Sequence, residues 1–231
     1  MDIKVVVTIA ANIEWETVCD VFKGVSLNNS PYGQWFLTNI KVKEKLEPVI
    51  FFQGGWGKVC AAGSTQYIID HFSPNILINL GTCGGFKGYI QTGDIVLVDR
   101  AIVYDIFEEM GDPSEEIDYF TTDIDLSFLD GDYPHKVTKT LMLTGDRDLQ
   151  PKELKYLHET FGGVVGDWES GAIAWVAKRN ETKLLILRGV SDIVGEDGGE
   201  AYGKINVFEE NATKIMKKLI QNLSNWIEIG K

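Results

Sequence analysis

The strongest constraint on this chain is a regular alternation between short β-branched apolar runs and segments with helical spacing. Val5–Ala10, Pro48–Gln53, Ile76–Leu80, Ile95–Val98, Thr140–Leu143 and Leu184–Gly189 are apolar on consecutive positions, as strands buried on both faces are. Residues 14–22, 57–71, 151–159, 169–179 and 207–226 instead place apolar side chains three and four apart, which predicts helices. Strands that alternate with helices predict a mostly parallel sheet covered on both faces. No repeat or composition break interrupts the pattern, so residues 1–231 are read as one α/β domain.

Charge and cysteine content narrow the function classes. With 22 Lys and Arg against 34 Asp and Glu, the formal net charge is −12. Such a chain gains nothing from a polyphosphate backbone or an anionic membrane, so nucleic-acid and membrane partners are not expected. Cys19, Cys60 and Cys83 are odd in number and far apart, which suits reduced thiols better than a disulfide framework or a structural zinc site. The apolar opening at residues 3–11 runs straight into Asn12, Glu14 and Glu16 rather than a cleavage site, and no run approaches the ~20 residues of a membrane span. The expectation is a soluble, cytoplasmic protein. Between Arg100 and Lys136 acidic residues accumulate without any Lys or Arg, either as a solvated excursion or as an anionic rim that repels phosphorylated ligands. Gly195–Gly199 reads as a mobile flap or a turn.

In open α/β sheets ligands bind beyond the carboxyl ends of strands, and four such places carry polar groups. The first is Ala10–Trp15, with Asn12 as a helix N-cap and Glu14 in the first turn, where the helix dipole alone would favour a carboxylate. The second is the turn Asn79–Gly85, whose three glycines allow close backbone approach to a ligand but match neither a Walker loop nor G-x-G-x-x-G. The third is Gly166–Ala172, with Asp167 and Glu169 placed for another dipole. The fourth is Arg188–Asp192, a Ser-Asp pair at the end of a central strand. His71, His135 and His158 are scattered, so neither a Ser-His-Asp triad nor a His-rich metal site is indicated. What remains is a metal-free, cofactor-free site of carboxylates, hydroxyls and backbone donors, suited to cleavage that needs proton delivery and cation stabilisation.

Taken in order, these segments resemble the nucleoside phosphorylase and nucleosidase superfamily, most of all the 5′-methylthioadenosine/S-adenosylhomocysteine nucleosidases. The resemblance rests on Gly55–Ala62, Asn79–Gly85, Gly93–Val96, Gly145-Asp146, Trp168-Glu169 with Ala172–Ala174, and Ser191-Asp192. It implies a three-layer αβα fold around a central mixed sheet, a homodimer, and hydrolysis of the N-glycosidic bond of a 5′-modified purine nucleoside. By the same resemblance, Asp192 is the general acid on N7 of the base and Ser191 holds its carboxyl. Glu169 binds the ribose hydroxyls, and Glu14 positions the attacking water. Thr82 and Gly84 lie near ribose and nucleophile, Trp168 packs under the sugar, and Ala11 stands where a larger Met often lines the pocket.

Asp148 and Leu149 fall where relatives place an aromatic that stacks on adenine. An acidic Asp148 facing the base would accept a hydrogen from N1 of a 6-oxopurine rather than stack on adenine, and the choice between the two bases stays open. An unperturbed Asp, with a pKa of about 3.9, would not be protonated at neutral pH, so Asp192 must have its pKa raised by burial or a neighbouring carboxylate. Phosphorolytic relatives carry an Arg just before the Gly-rich turn. Here the approach reads Ile78-Asn79-Leu80, and Arg188 is the nearest basic candidate. Hydrolysis is therefore favoured over phosphorolysis. A non-catalytic nucleoside-binding protein is the competing reading from another class, against which Glu14, Glu169 and Asp192 all stand intact.

Overall fold

The computed structural model describes residues 4–230. It orders β1 (Val5–Ile9), α1 (Asn12–Val21), β2 (Asn28–Asn29), β3 (Gln34–Val42), β4 (Lys45–Gln53), α2 (Gly57–Phe72), β5 (Ile76–Phe86) and β6 (Ile95–Val103). There follow α3 (Pro113–Tyr119), β7 (Thr122–Asp123), β8 (Thr138–Thr144), a 3₁₀ turn (Pro151–Glu153), α4 (Leu154–Phe161), β9 (Val165–Asp167), α5 (Ser170–Arg179), β10 (Lys183–Gly195), β11 (Gly198–Gly199) and α6 (Ile205–Ile229). All six runs read as strands and all five helical patterns lie in elements of the expected type.

The sheet is mixed. Parallel pairing joins β4 to β1, β1 to β5, β5 to β10, β6 to β8 and β8 to β9. Antiparallel pairing joins β3 to β4, β10 to β6 and β5 to β9. Because β5 pairs with both β10 and β9, the strands β10, β6, β8, β9 and β5 form a closed ring rather than the open sheet the alternation implies. The ring gathers the far ends of β5, β9 and β10 in one place.

Burial follows the two-residue period of the strands. Val5, Val7 and Ile9 of β1 pack with Trp15 and Val18 of α1 and with Ile215, Met216 and Leu219 of α6. Val6, on the other face, joins Ile50 and Phe52 of β4 with Ile68 of α2 and Ile173 of α5. α6 is amphipathic: its buried Ala212, Ile215, Met216, Leu219, Leu223, Trp226 and Ile227 recur at three- and four-residue steps. Among the described residues, no helix is long and apolar enough to cross a membrane.

Several local expectations change. Residues 79–85 are no turn: β5 runs through them to Phe86, each paired with β10. Glycine is a weak strand former, but here strands on both sides supply the missing order. Residues 188–192 likewise lie within β10, not at its end. Asn12 is the first helical residue rather than the cap. Ala11 is the N-cap, its N–H accepted by Glu14 Oε2 at 3.2 Å, while Asn12 Oδ1 accepts from Gln53 Nε2. The acidic stretch is not wholly an excursion, since it contains α3 and β7 and its first carboxylate, Asp105, pairs with Lys58. Gly195–Gly199 is an antiparallel turn in which Val194 faces Gly199 and Gly195 faces Gly198.

Candidate active site

A cavity of about 890 Å³ is lined by the C-terminal halves of β5 and β10, by β9 and the two residues that lead from it into α5, and by the starts of α1 and α6. Glu14, Glu169, Asp192, Ser191, Thr82, Trp168, Gly84, Asp148, Leu149 and Ala11 all line it. The ten positions come from loops and elements spread from residue 11 to residue 192, and the strand ring is what brings them together.

Its floor is built on Arg188, a fully buried side chain of β10. Arg188 faces Gly81 across the parallel pair, and a Cβ at Gly81 would lie 2.2 Å from Arg188 Nη1, so only glycine lets the guanidinium lie across β5. Arg188 Nη2 sits 2.9 Å from Asp167 Oδ2 and 3.6 Å from Glu169 Oε2 as ion-pair contacts. Nε donates to Ser170 Oγ at 3.3 Å and Nη1 to the Thr82 carbonyl at 3.4 Å. Asp167 is held in turn by Thr144 Oγ1 at 2.7 Å and by the N–H and hydroxyl of Ser170.

Two more carboxylates face this cation beside Asp167. Glu14 Oε1 accepts both the N–H and the hydroxyl of Thr82, each at 2.7 Å. Burial pushes the Glu14 pKa up, while Arg188 and the Thr82 and Ala11 donors oppose the rise without cancelling it. Glu169 Oε1 accepts the N–H of Gly57, at the start of α2, at 3.0 Å. Burial raises its pKa to about 7, with Asp167 and Glu14 adding to the rise and Arg188 opposing it.

Asp192 sits in a different setting. The β5–β10 register slips between Val190 and Asp192, leaving Ser191 as the extra residue of a bulge. A bulge re-aims neighbouring side chains. Here the Ser191 hydroxyl points to Asp192 Oδ1 at 2.8 Å and to the Cys83 carbonyl at 3.2 Å. Asn211 of α6 fixes the bulge by donating to the Ser191 carbonyl at 2.8 Å. Burial raises the Asp192 pKa, the Ser191 hydrogen bond lowers it, and the nearby carboxylates of Glu200 and Asp148 raise it further.

Some wall residues carried no sequence signal of their own. Tyr202 donates its hydroxyl to the Leu149 carbonyl at 2.6 Å, joining the β11–α6 loop to the loop after β8, and Ile205 and Phe208 add apolar wall from the start of α6. The signal that could have found them is an aromatic pair flanking the start of an amphipathic helix, directly after a glycine-rich turn. Asp167, read as a helix-dipole residue, is instead the main partner of Arg188. Trp168 is 38% exposed, and Trp56 lines the same cavity. Among the described residues, two cations line the cavity, Arg188 and Arg147, and Arg147 Nη2 is paired with Glu153 Oε2 at 2.8 Å. Among the described residues, no group of three or more His, Cys, Asp or Glu is arranged to hold a metal ion.

The family model described as the phosphorylase superfamily matches residues 4–225. The 5′-methylthioadenosine/S-adenosylhomocysteine nucleosidase of Bacillus subtilis (strain 168) is 30% identical over 194 residues, covering 76% of this chain and 81% of that protein. Its namesake from Geobacillus kaustophilus (strain HTA426) is 28% identical over 189 residues, covering 75% and 78%. Among solved structures, the Campylobacter jejuni 5′-methylthioadenosine/S-adenosylhomocysteine nucleosidase superposes with a TM-score of 0.78 at 18% identity, over 98% of this chain and 99% of that one. The S-adenosylhomocysteine nucleosidase of Streptococcus pyogenes, solved with 5-methylthiotubericidin, gives 0.76 at 19% identity over 99% and 98%. At those identities the two structures show a shared fold. With the family model spanning nearly all of the chain and a curated relative at 30% identity, the chain belongs to the phosphorylase superfamily, among its nucleosidases.

Proposed function

We propose that this chain hydrolyses the N-glycosidic bond of a 5′-modified adenosine, of the kind named by its relatives: 5′-methylthioadenosine or S-adenosylhomocysteine. The observation that carries the reading is the division of one cavity into a carboxyl raised by two neighbouring carboxylates, Asp192, and two carboxyls, Glu14 and Glu169, set around Arg188. Asp192 gives its proton to N7 of the purine as the C1′–N9 bond breaks and its electron pair leaves with the base. The sugar becomes oxocarbenium-like, and ionised Glu169, on the ribose hydroxyls, stabilises the developing positive charge. Glu14 accepts a proton from the water that attacks C1′, and Thr82 orients that carboxylate. The products are the free base and the free sugar.

The commitments of the two lining arginines favour water over phosphate as the nucleophile. Arg188 is held by Asp167 and Glu169, and Arg147 by Glu153, so neither offers an uncommitted charge to a phosphate dianion. Asp148 offers carboxylate acceptors to the purine edge, which suit an exocyclic amine or the N1–H of a 6-oxopurine alike, and adenine is favoured here by the relatives' named substrates. The same reading takes residues 1–231 as a single three-layer αβα domain acting in the cytoplasm as a homodimer. Trp56 and Val59, exposed around the first turn of α2, support the dimer as apolar surface beside the cavity.

The test is base release from 5′-methylthioadenosine, S-adenosylhomocysteine, adenosine and inosine, with and without phosphate, with the sugar product identified. The predicted result is adenine and a free reducing sugar without phosphate. Release only with phosphate, yielding a sugar 1-phosphate, would establish a phosphorylase. Tight binding without release would establish a binding protein.

A further inference from the structure

Two signature segments, Gly57-Lys58 and Gly145-Asp146, take no part in the chemistry above, yet the fold joins them. The backbone N–H of Lys58 donates to Asp146 Oδ1 at 2.8 Å, and the Lys58 ammonium lies 3.8 Å from Asp146 Oδ2. The same ammonium pairs with Asp105, and Asp105 Oδ2 accepts the N–H of Asp146 at 2.8 Å. The three side chains thus close a ring that ties the start of α2 to the loops after β6 and β8. Gly57 adopts φ +74°, and a Cβ there would meet Asp146 Oδ1 at 2.7 Å, so the first turn of α2 is pressed against this carboxylate. One residue before Lys58, the N–H of Gly57 is the backbone donor to Glu169 Oε1.

We propose that Lys58, Asp105 and Asp146 are positioning residues: their ring holds the first turn of α2 in register and keeps the Gly57 N–H on the carboxylate of Glu169. That Glu169 in turn grips the ribose hydroxyls rests on the nucleosidase reading; the ring and its hold on Gly57 do not. Glu169 is faced by Arg188 from β10, Asp167 from β9, Glu14 from α1 and the Gly57 N–H from α2. Of these, the ring governs the last. Loss of an N–H donor disfavours the charged carboxylate, so loosening the ring moves the Glu169 titration upward.

The experiment titrates Glu169 directly, by carbon NMR of protein labelled at the glutamate carboxyl carbon, with the resonance assigned by loss in Glu169→Gln. The wild-type midpoint is expected near 7. In Asp146→Ala it rises by about half a unit to one unit. In Asp146→Asn, which keeps an oxygen for the Lys58 N–H, it moves less than half as far. In parallel, KM for the nucleoside rises about tenfold in Asp146→Ala, with a smaller change in kcat, as loss of one charge-assisted hydrogen bond implies. An unmoved midpoint in a folded Asp146→Ala protein would overturn the proposal, as would equal shifts in the Ala and Asn variants. If Asp146→Ala does not fold, Lys58→Gln is read by the same titration, with an upward shift expected and an unmoved midpoint contrary. The titration needs no turnover, so an inactive wild type would remove the nucleosidase reading and leave the ring to be judged on the midpoints alone.

Discussion

The two ends of the cavity treat a carboxyl group in opposite ways. At the Arg188 end, Glu14 and Glu169 share a buried cation and backbone N–H donors, all of which favour the ionised form against the cost of burial. At the bulge in β10, Asp192 has one hydroxyl donor, Ser191, and two carboxylate neighbours, Glu200 and Asp148, that raise its pKa further. Both ends are buried, so burial alone cannot assign roles. What separates them is the cation: Arg188 opposes the rise at Glu14 and Glu169, even though the carboxylates of Asp167 and Glu14 add to it at Glu169, whereas at Asp192 the neighbouring charges only raise the pKa.

The largest effect comes from removing the proton itself. Asp192→Asn keeps the shape of the bulge and a partner for Ser191 but has no acidic proton, and base release is expected to fall about a thousandfold. Steady-state release of free base measures it, and a loss under tenfold would end the assignment of Asp192 as the acid. Next is Arg188→Met, which erases the contrast by leaving Asp167, Glu169 and Glu14 without their cation. Stripping one partner from a buried charge network costs about 3–5 kcal/mol, so thermal melting should show a large drop in Tm at neutral pH. The same variant melted at pH 5, where Glu169 takes up its proton, should recover part of that loss.

A smaller effect sharpens the comparison from the Glu14 side. The folded pKa of Glu14 lies above its ordinary value of 4.5, so the folded state binds this proton more tightly than the unfolded state does. Its contribution is therefore most favourable at acid pH and is lost as pH rises from 4.5 through the folded pKa. Glu14→Gln should lower kcat about a hundredfold, as loss of a general base does, without lowering Tm at pH 8. Wild-type Tm should itself decline by about 3 °C between pH 5 and pH 8, Glu169 adding to the same trend. A Tm that climbs over that interval would contradict the sign.

The pattern of company was only partly readable from the sequence. Runs such as Val5–Ile9 and Leu184–Gly189 announced their strands because every position is buried, and α6 announced itself by its spacing. β3 did not, since Thr38, Asn39 and Lys41 break the apolar run and its burial is uneven along the strand. The glycines of β5 looked like a turn because their order comes from β10 and β9, about a hundred residues further on. Glu14, Glu169 and Asp192 could be named from motif order, and all three line the cavity. Their neighbours could not: Asp167 looked like a helix-dipole residue, Arg188 like the nearest basic candidate for a phosphate, and Asp105 like one more charge in an acidic stretch. Each acquires its partners only when β5, β9, β10 and the start of α2 meet.

The central claim, that the company of Asp192 sets it apart as the acid, is tested most directly by the pH dependence of kcat/KM. The comparison is wild type against Asp148→Asn and Asp148→Asn/Glu200→Gln. The limb on which activity falls as pH rises should lie above the ordinary Asp range in the wild type, because burial and both neighbours raise the pKa of the group that must stay protonated. Removing one like charge should move that limb to lower pH, and removing both should move it further. A limb that stays in place in both variants, or moves upward, would contradict the account.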